Sequence, residues 1–251
     1  MKLTEEEKRY IRNKMIRITN FSQNDSIYPT GYALIIDTRI NDAFKVIINN
    51  MKRIIPENWK VIFMCGTKNK KWVEENFTDI NIICLKKETL TVKEYDQMLK
   101  TKEFWEQFLS VDKILMFQLD TLVNPNSKHK LEDYLHFDYV GAPWAEHIRN
   151  KYPFLPYYGG NGGFSLSSVK MRIDILNKAT SMKYSEDIMF SRELVNSNYK
   201  VAPSYIAKTF AVETEFYEDP LAIHKPWPYI NSSQLKHLEN KFPYLKHIKN
   251  I

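Results

Sequence analysis

Strands alternate with helices along the first half of this chain, and that rhythm predicts an α/β fold with a mainly parallel central sheet flanked by helices. Two further observations support it. Apolar runs of strand length recur at 32–37, 59–65, 80–85 and 113–119, and amphipathic stretches at helical spacing lie between them. With 251 residues, 43% of them hydrophobic, the chain is long enough for one large or two modest domains and can bury a proper core.

In chain order, Thr4 and Glu7 fit a capping box, and Tyr10, Ile11, Met15 and Ile18 recur behind them at helical spacing. A helix is therefore expected over residues 4–19. Its apolar side suits packing on the body or on a second copy, which makes this helix a candidate contact surface for a homo-oligomer; its basic residues would also suit an anionic membrane surface. Residues 20–30 read as a polar connector. The stretch 32–37 is then a buried strand, 41–55 an amphipathic helix, and 59–65 a strand ending at Gly66. Next come a short helix at 69–77, a strand at 80–85, and one or two helices over 91–109. The strand Lys113-Ile-Leu-Met-Phe-Gln-Leu119 follows and delivers Asp120 at its carboxyl end. The turns after Asp37, Gly66, Leu85 and Leu119 should share one sheet edge, where open α/β sheets bind ligands.

Beyond Asp120 the rhythm changes. A short helix is expected at 131–136, an extended stretch at 139–144, and a loop over 145–158. Then come a strand from Phe164, helices at 169–179 and 186–196, strands at 200–202 and 210–213, and a helical tail interrupted near Pro243. The domain reading is a helix and connector over 1–30, one α/β domain over 31–231 and a helical tail over 232–251.

Lys and Arg number 36 against 30 Asp and Glu, a net charge of +6 with a pI near 9.0. Basic residues form no compact run interleaved with aromatics, so the excess reads as a solvated Lys-rich surface and no nucleic-acid partner is expected. No window approaches about 18 consecutive apolar residues. The amino terminus also lacks an apolar signal core, so no transmembrane or signal segment is expected. Cys65 and Cys84 each end an expected strand and do not form a metal-type pair, which fits a reduced, cytoplasmic setting.

Four polar clusters carry candidate chemistry. Gln118, Asp120 and Thr121 offer oxygens to a hard divalent cation that also holds phosphate, although a lone Asp after a strand equally suits a turn. Four of the seven glycines crowd into 159–163 around Asn161, so either something approaches the main chain closely there or the stretch is a tight hairpin. Glu186 and Asp187 open a helix behind Ser185; they match the macrodipole, and a carboxylate here also suits a general base. His224 fits a metal or a structural hydrogen bond, and Lys225 is a compact cation suited to a diphosphate.

The wording of these clusters resembles that of GT-A glycosyltransferases. Gln118-Leu-Asp120-Thr-Leu-Val123 is similar to the Asp-x-Asp region in the form found in glycogenin-like enzymes, with Gln118 standing where the first acid lies. Gly159-Gly-Asn-Gly-Gly-Phe-Ser165, followed by Glu186-Asp187, resembles the Gly-rich strand and Glu-Asp motif of inverting, galactosyltransferase-like enzymes. His224-Lys-Pro-Trp227 resembles the carboxyl-terminal His and Lys-Pro-Trp of glycogenin-like proteins, with His and Lys adjacent here instead of several residues apart. Together with Tyr139-Val-Gly-Ala-Pro-Trp144, this order resembles a largely uncharacterised GT-A-like family from Ala33 to Tyr229.

The resemblance implies a GT-A (Rossmann-like) fold, a nucleotide-diphosphate donor with a UDP-sugar in first place, a hydroxyl acceptor on a glycan or protein, and Mn2+ or Mg2+. It also implies inversion, with Asp187 as the base beside Glu186. Asp120 and His224 would hold the metal with Gln118 nearby, and Lys225 would meet the diphosphate. Asp37 and Arg39 would contact the nucleotide, and Trp144, Asn161, Gly162, Gly163 and Trp227 would surround the sugars. Two rivals stay open: a retaining glycogenin-like transferase, which uses no Glu-Asp base, and a nucleotide- or sugar-binding module without catalysis, for which Gln118 is the argument.

Overall fold

Residues 30–249, apart from 157 and 180, are described in the computed structural model of the chain; the helix expected over 4–19, and the assembly contact assigned to it, lie outside them. The first part follows the expected rhythm: β1 (Gly31–Ile36), α1 (Ala43–Met51), β2 (Lys60–Cys65), α2 (Lys70–Asn76), β3 (Asn81–Cys84), α3 (Val92–Leu99), α4 (Lys102–Trp105) and β4 (Lys113–Phe117). Then come β5 (Thr121–Val123), β6 (Tyr139–Gly141), α5 (Glu146–Arg149), β7 (Phe164–Ser168), α6 (Val169–Lys178) and α7 (Glu186–Leu194). The chain closes with α8 (Ser204–Phe210), β8 (Ala211–Val212), β9 (Ala222–His224), α9 (Ser232–Lys241) and α10 (Leu245–Ile248).

The result is a mixed α/β protein with a six-stranded central sheet in the order β3-β2-β1-β4-β7-β6. The first four strands in that order are mutually parallel; β7 runs antiparallel to both β4 and β6. Every residue of β1 is buried because the sheet is covered on both sides. Ala33 and Ile35 face one apolar cluster with Phe44, Ile47 and Phe63, whereas Tyr32, Leu34 and Ile36 face another with Met98, Phe104 and Trp105. Such alternation within a wholly apolar run is what a doubly covered strand requires. Leu238, Phe242, Leu245 and Ile248 of the carboxyl-terminal helices belong to the first cluster, so the tail packs on the α/β body.

A second sheet, in the order β5-β9-β8, was not foreseen. Its strands are two or three residues long, too short to show a period in the sequence. Buried Asn50 of α1 clamps it to the body, donating to the Val123 carbonyl (3.0 Å) and accepting from the Val123 N–H (2.7 Å). Two further expectations change. The strand expected at 200–202 is a single bridge between Val201 and Tyr139, and the start of the one expected at 210–213 is the end of α8. No helix among the described residues is long and apolar enough to cross a membrane. Both cysteines are free thiols on neighbouring strands, and burial pushes that of Cys65 up to about 12.

Candidate functional site

The chain leaves β1 for β2 and β3 on one side of the sheet, then returns to place β4 on the other. That reversal puts a topological switch point between the carboxyl ends of β1 and β4, the place where open α/β sheets hold ligands. A pocket of about 380 Å³ lies there, lined by Ile36–Arg39 after β1, by Gln118–Asp120 after β4, and by Leu90–Val92 and Tyr95 around the start of α3.

On the β1 side, Arg39 grips Asp37 through Nε (2.9 Å) and Nη2 (2.5 Å), and the Arg39 N–H donates to the same carboxylate at 2.9 Å. The pair raises the pKa of Arg39, against the effect of its own partial burial, while most of the guanidinium stays exposed at the pocket mouth. Buried Asn69, to which the sequence reading gave no role, fixes these turns: its Nδ2 donates to the carbonyls of Asp37 and Arg39, and its Oδ1 accepts from Gly66 N. Thr38 ties in the opposite wall by accepting from Leu90 N at 3.0 Å.

Gln118, Leu119 and Asp120 form the turn that carries the chain from β4 into β5, closed by Thr121 N donating to the Gln118 carbonyl at 3.1 Å. The antiparallel register of β5 with β9 sets Thr121 opposite His224. In consequence His224 Nε2 lies 3.1 Å from Asp120 Oδ1 and 3.1 Å from Gln118 Oε1. Its Nδ1 is held at 3.2 Å by Glu213, a buried carboxylate that sequence reasoning missed. Burial works against a charge on His224, but the two carboxylates outweigh it and raise the imidazole to about 9. Burial likewise pushes Glu213 up, whereas His224 and Lys225 hold Asp120 below the usual carboxylate range despite its burial.

Among the described residues no group of three or more His, Cys, Asp and Glu side chains is arranged to hold a metal ion. The donor set at this turn is Asp120 Oδ1, His224 Nε2 and Gln118 Oε1. Adjacent ligands of an octahedral cation bound at about 2.1 Å stand about 3 Å apart, close to both separations here. The set fits a hard divalent cation with phosphate oxygens completing its shell, and Glu213 supplies the outer hydrogen bond that orients a metal-binding imidazole. Tyr95 lies 3.2 Å from Gln118 Nε2, which leaves the amide oxygen toward His224.

Lys225 follows β9 with an exposed side chain and a φ of 43°, a left-handed conformation that costs a non-glycine residue about 1–2 kcal/mol. Its N–H donates to the Asp120 carbonyl at 3.1 Å, so the strained residue and the β4–β5 turn are fastened together. Trp144 is buried, and its neighbours Pro143 and Ala145 are both tied to Thr214, the residue after Glu213. Trp227 is half-buried against the main apolar cluster.

The glycine cluster has a packing explanation that the sequence left open. A side chain at Gly163 would run into the His224 ring (2.2 Å), and one at Gly162 would meet Glu186 Oε2 (2.7 Å). Gly159 and Gly160 have φ of 92° and 149°, positions that favour glycine. Asn161 bridges the loop, accepting from Gly163 N at 2.6 Å and reaching Asp187 Oδ2 with its amide at 3.4 Å. Asp187 also accepts from Ser185 Oγ at 2.7 Å and stays half-exposed. A Cβ on Gly162 would also lie 3.4 Å from Asp187 Cβ, so Asp187 and the Asp120–His224 pair flank the same glycine loop, at the cleft between them. Glu186 is turned inward beside the same loop: it is buried, its Oε1 is paired with Arg172, and burial pushes its carboxyl up against the pull of that cation.

A family model described as a protein of unknown function, DUF5672, matches residues 79–224. The chain is a DUF5672 protein. The matched span of the DUF5672 protein takes in Gln118, Asp120, Asn161, Glu186, Asp187, Glu213 and His224; Asp37, Arg39 and Lys225 lie outside it. No curated protein matches the sequence. Among solved structures, the DUF5672 protein is similar to the mannosyltransferase PcManGT from Pyrobaculum calidifontis in complex with GDP-Man and Mn2+, at 8% identity and a TM-score of 0.43. The likeness covers 70% of this chain and 54% of that one, so the DUF5672 protein spans about half the length of that structure.

Proposed function

We propose that this protein is a metal-dependent glycosyltransferase of the GT-A type, moving a sugar from a nucleotide diphosphate, a UDP-sugar in first place, to a hydroxyl acceptor with inversion. The observation that supports the reading is convergence: His224 lies 3.1 Å from Asp120 beside the switch-point pocket, and the glycine loop that packs on the His224 ring at Gly163 meets Asp187 at Gly162 and Asn161. A fold that needed only a hairpin and a helix cap has no reason to bring the three together.

In this reading the nucleotide enters the pocket between β1 and β4, where Arg39 offers a charge-assisted donor and Asp37 an acceptor. Asp120 and His224, with Gln118 oxygen, hold Mn2+ or Mg2+ on the diphosphate; the ion supplies Lewis-acid stabilisation of charge on the leaving group. Lys225, pinned beside Asp120, adds a second positive charge preorganised toward the same phosphates. Asp187 stands at the acceptor side and removes the proton from the attacking hydroxyl, with Ser185 and Asn161 fixing its two oxygens. Trp144 and Trp227, half or more withdrawn into the body, shape the walls around the sugars.

Thermal shift with nucleotides and Mn2+ tests the reading. A nucleotide present at a hundred times its Kd stabilises by about 2.7 kcal/mol, which for a chain of this size raises Tm by about 5–10 °C. The expectation is a rise with UDP that requires Mn2+, disappears in Asp120→Ala and persists in Asp187→Asn, while donor hydrolysis disappears in Asp187→Asn. No shift with any nucleoside diphosphate would end the proposal, and a product of retained anomeric configuration would remove Asp187 from its role. Gln118 in the place of an acid favours one second reading, a binding module without catalysis. Metal-dependent UDP binding without donor hydrolysis by the wild type would select it.

A further inference from the structure

Arg172 of α6 is wholly buried behind the cleft. Its Nη1 donates to Glu186 Oε1, while Nε and Nη2 have no hydrogen-bond partner. Instead the guanidinium carbon lies 4.2 Å from the centre of the Phe190 ring, 4.8 Å from that of Trp105 and 5.2 Å from that of Tyr139. Aromatic faces compensate a desolvated cation only in part. Burying this ion pair is thus no obvious gain in stability, since apolar replacements of such pairs are often neutral or stabilising. What the cation does achieve is visible in where its contacts lead.

Two of them end at the cleft. Glu186 precedes Asp187, and its second oxygen occupies the space above Gly162. The Tyr139 hydroxyl donates a hydrogen bond to the Gly160 carbonyl at 2.8 Å. A third contact, Phe190, adjoins Ser191, whose hydroxyl lies 3.4 Å from Gly160 N. One side chain therefore touches the helix that presents Asp187 and the aromatic ring that props the glycine loop. From the other side, Glu186 N donates to Asp96 (2.7 Å), and Asp96 is paired with buried Lys100 (2.5 Å), which also binds the Tyr184 carbonyl at 2.7 Å.

We propose that Arg172 is a positioning residue that joins the Asp187 helix and the Gly159–Gly163 loop into one rigid unit, setting where the base stands relative to the bound acceptor. This rests on the reading of Asp187 as the base. The paired variant Arg172→Met with Glu186→Gln leaves no uncompensated buried charge, so it separates positioning from folding. It is expected to keep the wild-type affinity for UDP and Mn2+ while the kcat for donor hydrolysis falls about a hundredfold, the scale of a 1 Å misplacement. Hydrogen exchange should accelerate together at 159–163 and 185–192. The milder Tyr139→Phe, which removes only the hydroxyl on Gly160, should accelerate exchange in the glycine loop with no loss of fold. Should the paired variant fail to fold, Tyr139→Phe alone decides: unchanged protection of the glycine loop overturns the proposal. Wild-type kcat in the folded paired variant, or looser α7 with an unaltered glycine loop, also overturns it. A wild type that hydrolyses no nucleotide sugar defeats the transferase reading separately, and the exchange pattern still decides whether Arg172 couples the two segments.

Discussion

The two walls of the cleft are held in different ways. The wall proposed to hold the nucleotide, at the tips of β1 and β4, is local and open to water on one side: Asp37 and Arg39 are two positions apart, and the Arg39 side chain is 63% exposed against 10% for Asp37. The opposite wall, made by the glycine loop, α7 and β9, is held by buried charges from neighbouring elements, Arg172 on Glu186, 14 positions away, and Glu213 on His224, 11 positions away. An exposed pair contributes little because water screens it. A buried one is costly to break because the surviving charge is left unpaired. The first wall should therefore tolerate change at small cost to the fold, and the second should couple fold and site. A single helix, α3, reaches both walls through neighbouring residues, Tyr95 to Gln118 and Asp96 to Glu186.

That contrast is open to attack at several points. The largest effect on stability is expected from Glu186→Gln, which strands Arg172 and should cost about 3–5 kcal/mol in a denaturant melt. Its neighbour supplies the control: Asp187→Asn should change stability by less than about 0.5 kcal/mol while cutting donor hydrolysis by about 10²–10⁴. Equal melts for the two variants would erase the distinction between anchor and base.

Gly163→Ala comes next. Its methyl group would enter the His224 ring, so about 1–3 kcal/mol of overpacking is expected, along with weakened Mn2+-dependent UDP binding in calorimetry. Glu213→Gln should weaken Mn2+ binding by about 10–100-fold through the orientation of His224. Unchanged Mn2+ affinity would show that Glu213 serves packing alone. Arg39→Ala should cost the fold at most about 1 kcal/mol, yet UDP affinity should drop by about tenfold, or 1.4 kcal/mol. A large loss of stability there would mean that the nucleotide wall is no more forgiving than the other.

Much of the fold was legible because its signals are local. The apolar runs of β1, β2 and β4 and the period of α1 announce themselves within a window of about ten residues, and their alternation points to parallel strands, while the strand order came from the structure. Of the small sheet only β8 was foreshadowed, by the strand expected at 210–213; β5 and β9, three residues long each, escaped notice because they form through pairing with β8, each other and Asn50. The glycine cluster was visible as a demand for close approach, but not what approaches: at Gly162 and Gly163 it is Glu186 and His224. Glu186 and Asp187 looked equivalent as an acidic pair at a helix start. The rotation of about 100° between successive helix positions sends one carboxylate to Arg172 and leaves the other on Ser185 at the glycine loop.

The sequence by itself determined the α/β class, the sheet edge on which polar residues gather, and the identity of most side chains now found there, since each follows from short-range pattern and from the chemistry a residue type permits. Only the tertiary structure decided which of them meet. Gln118 and His224 are 106 positions apart, and Glu213 and Arg172 carried no motif at all. Their roles depend on strand register and on burial, and both arise only when the whole chain has packed, because a contact between distant residues leaves no periodic trace in the sequence around either one.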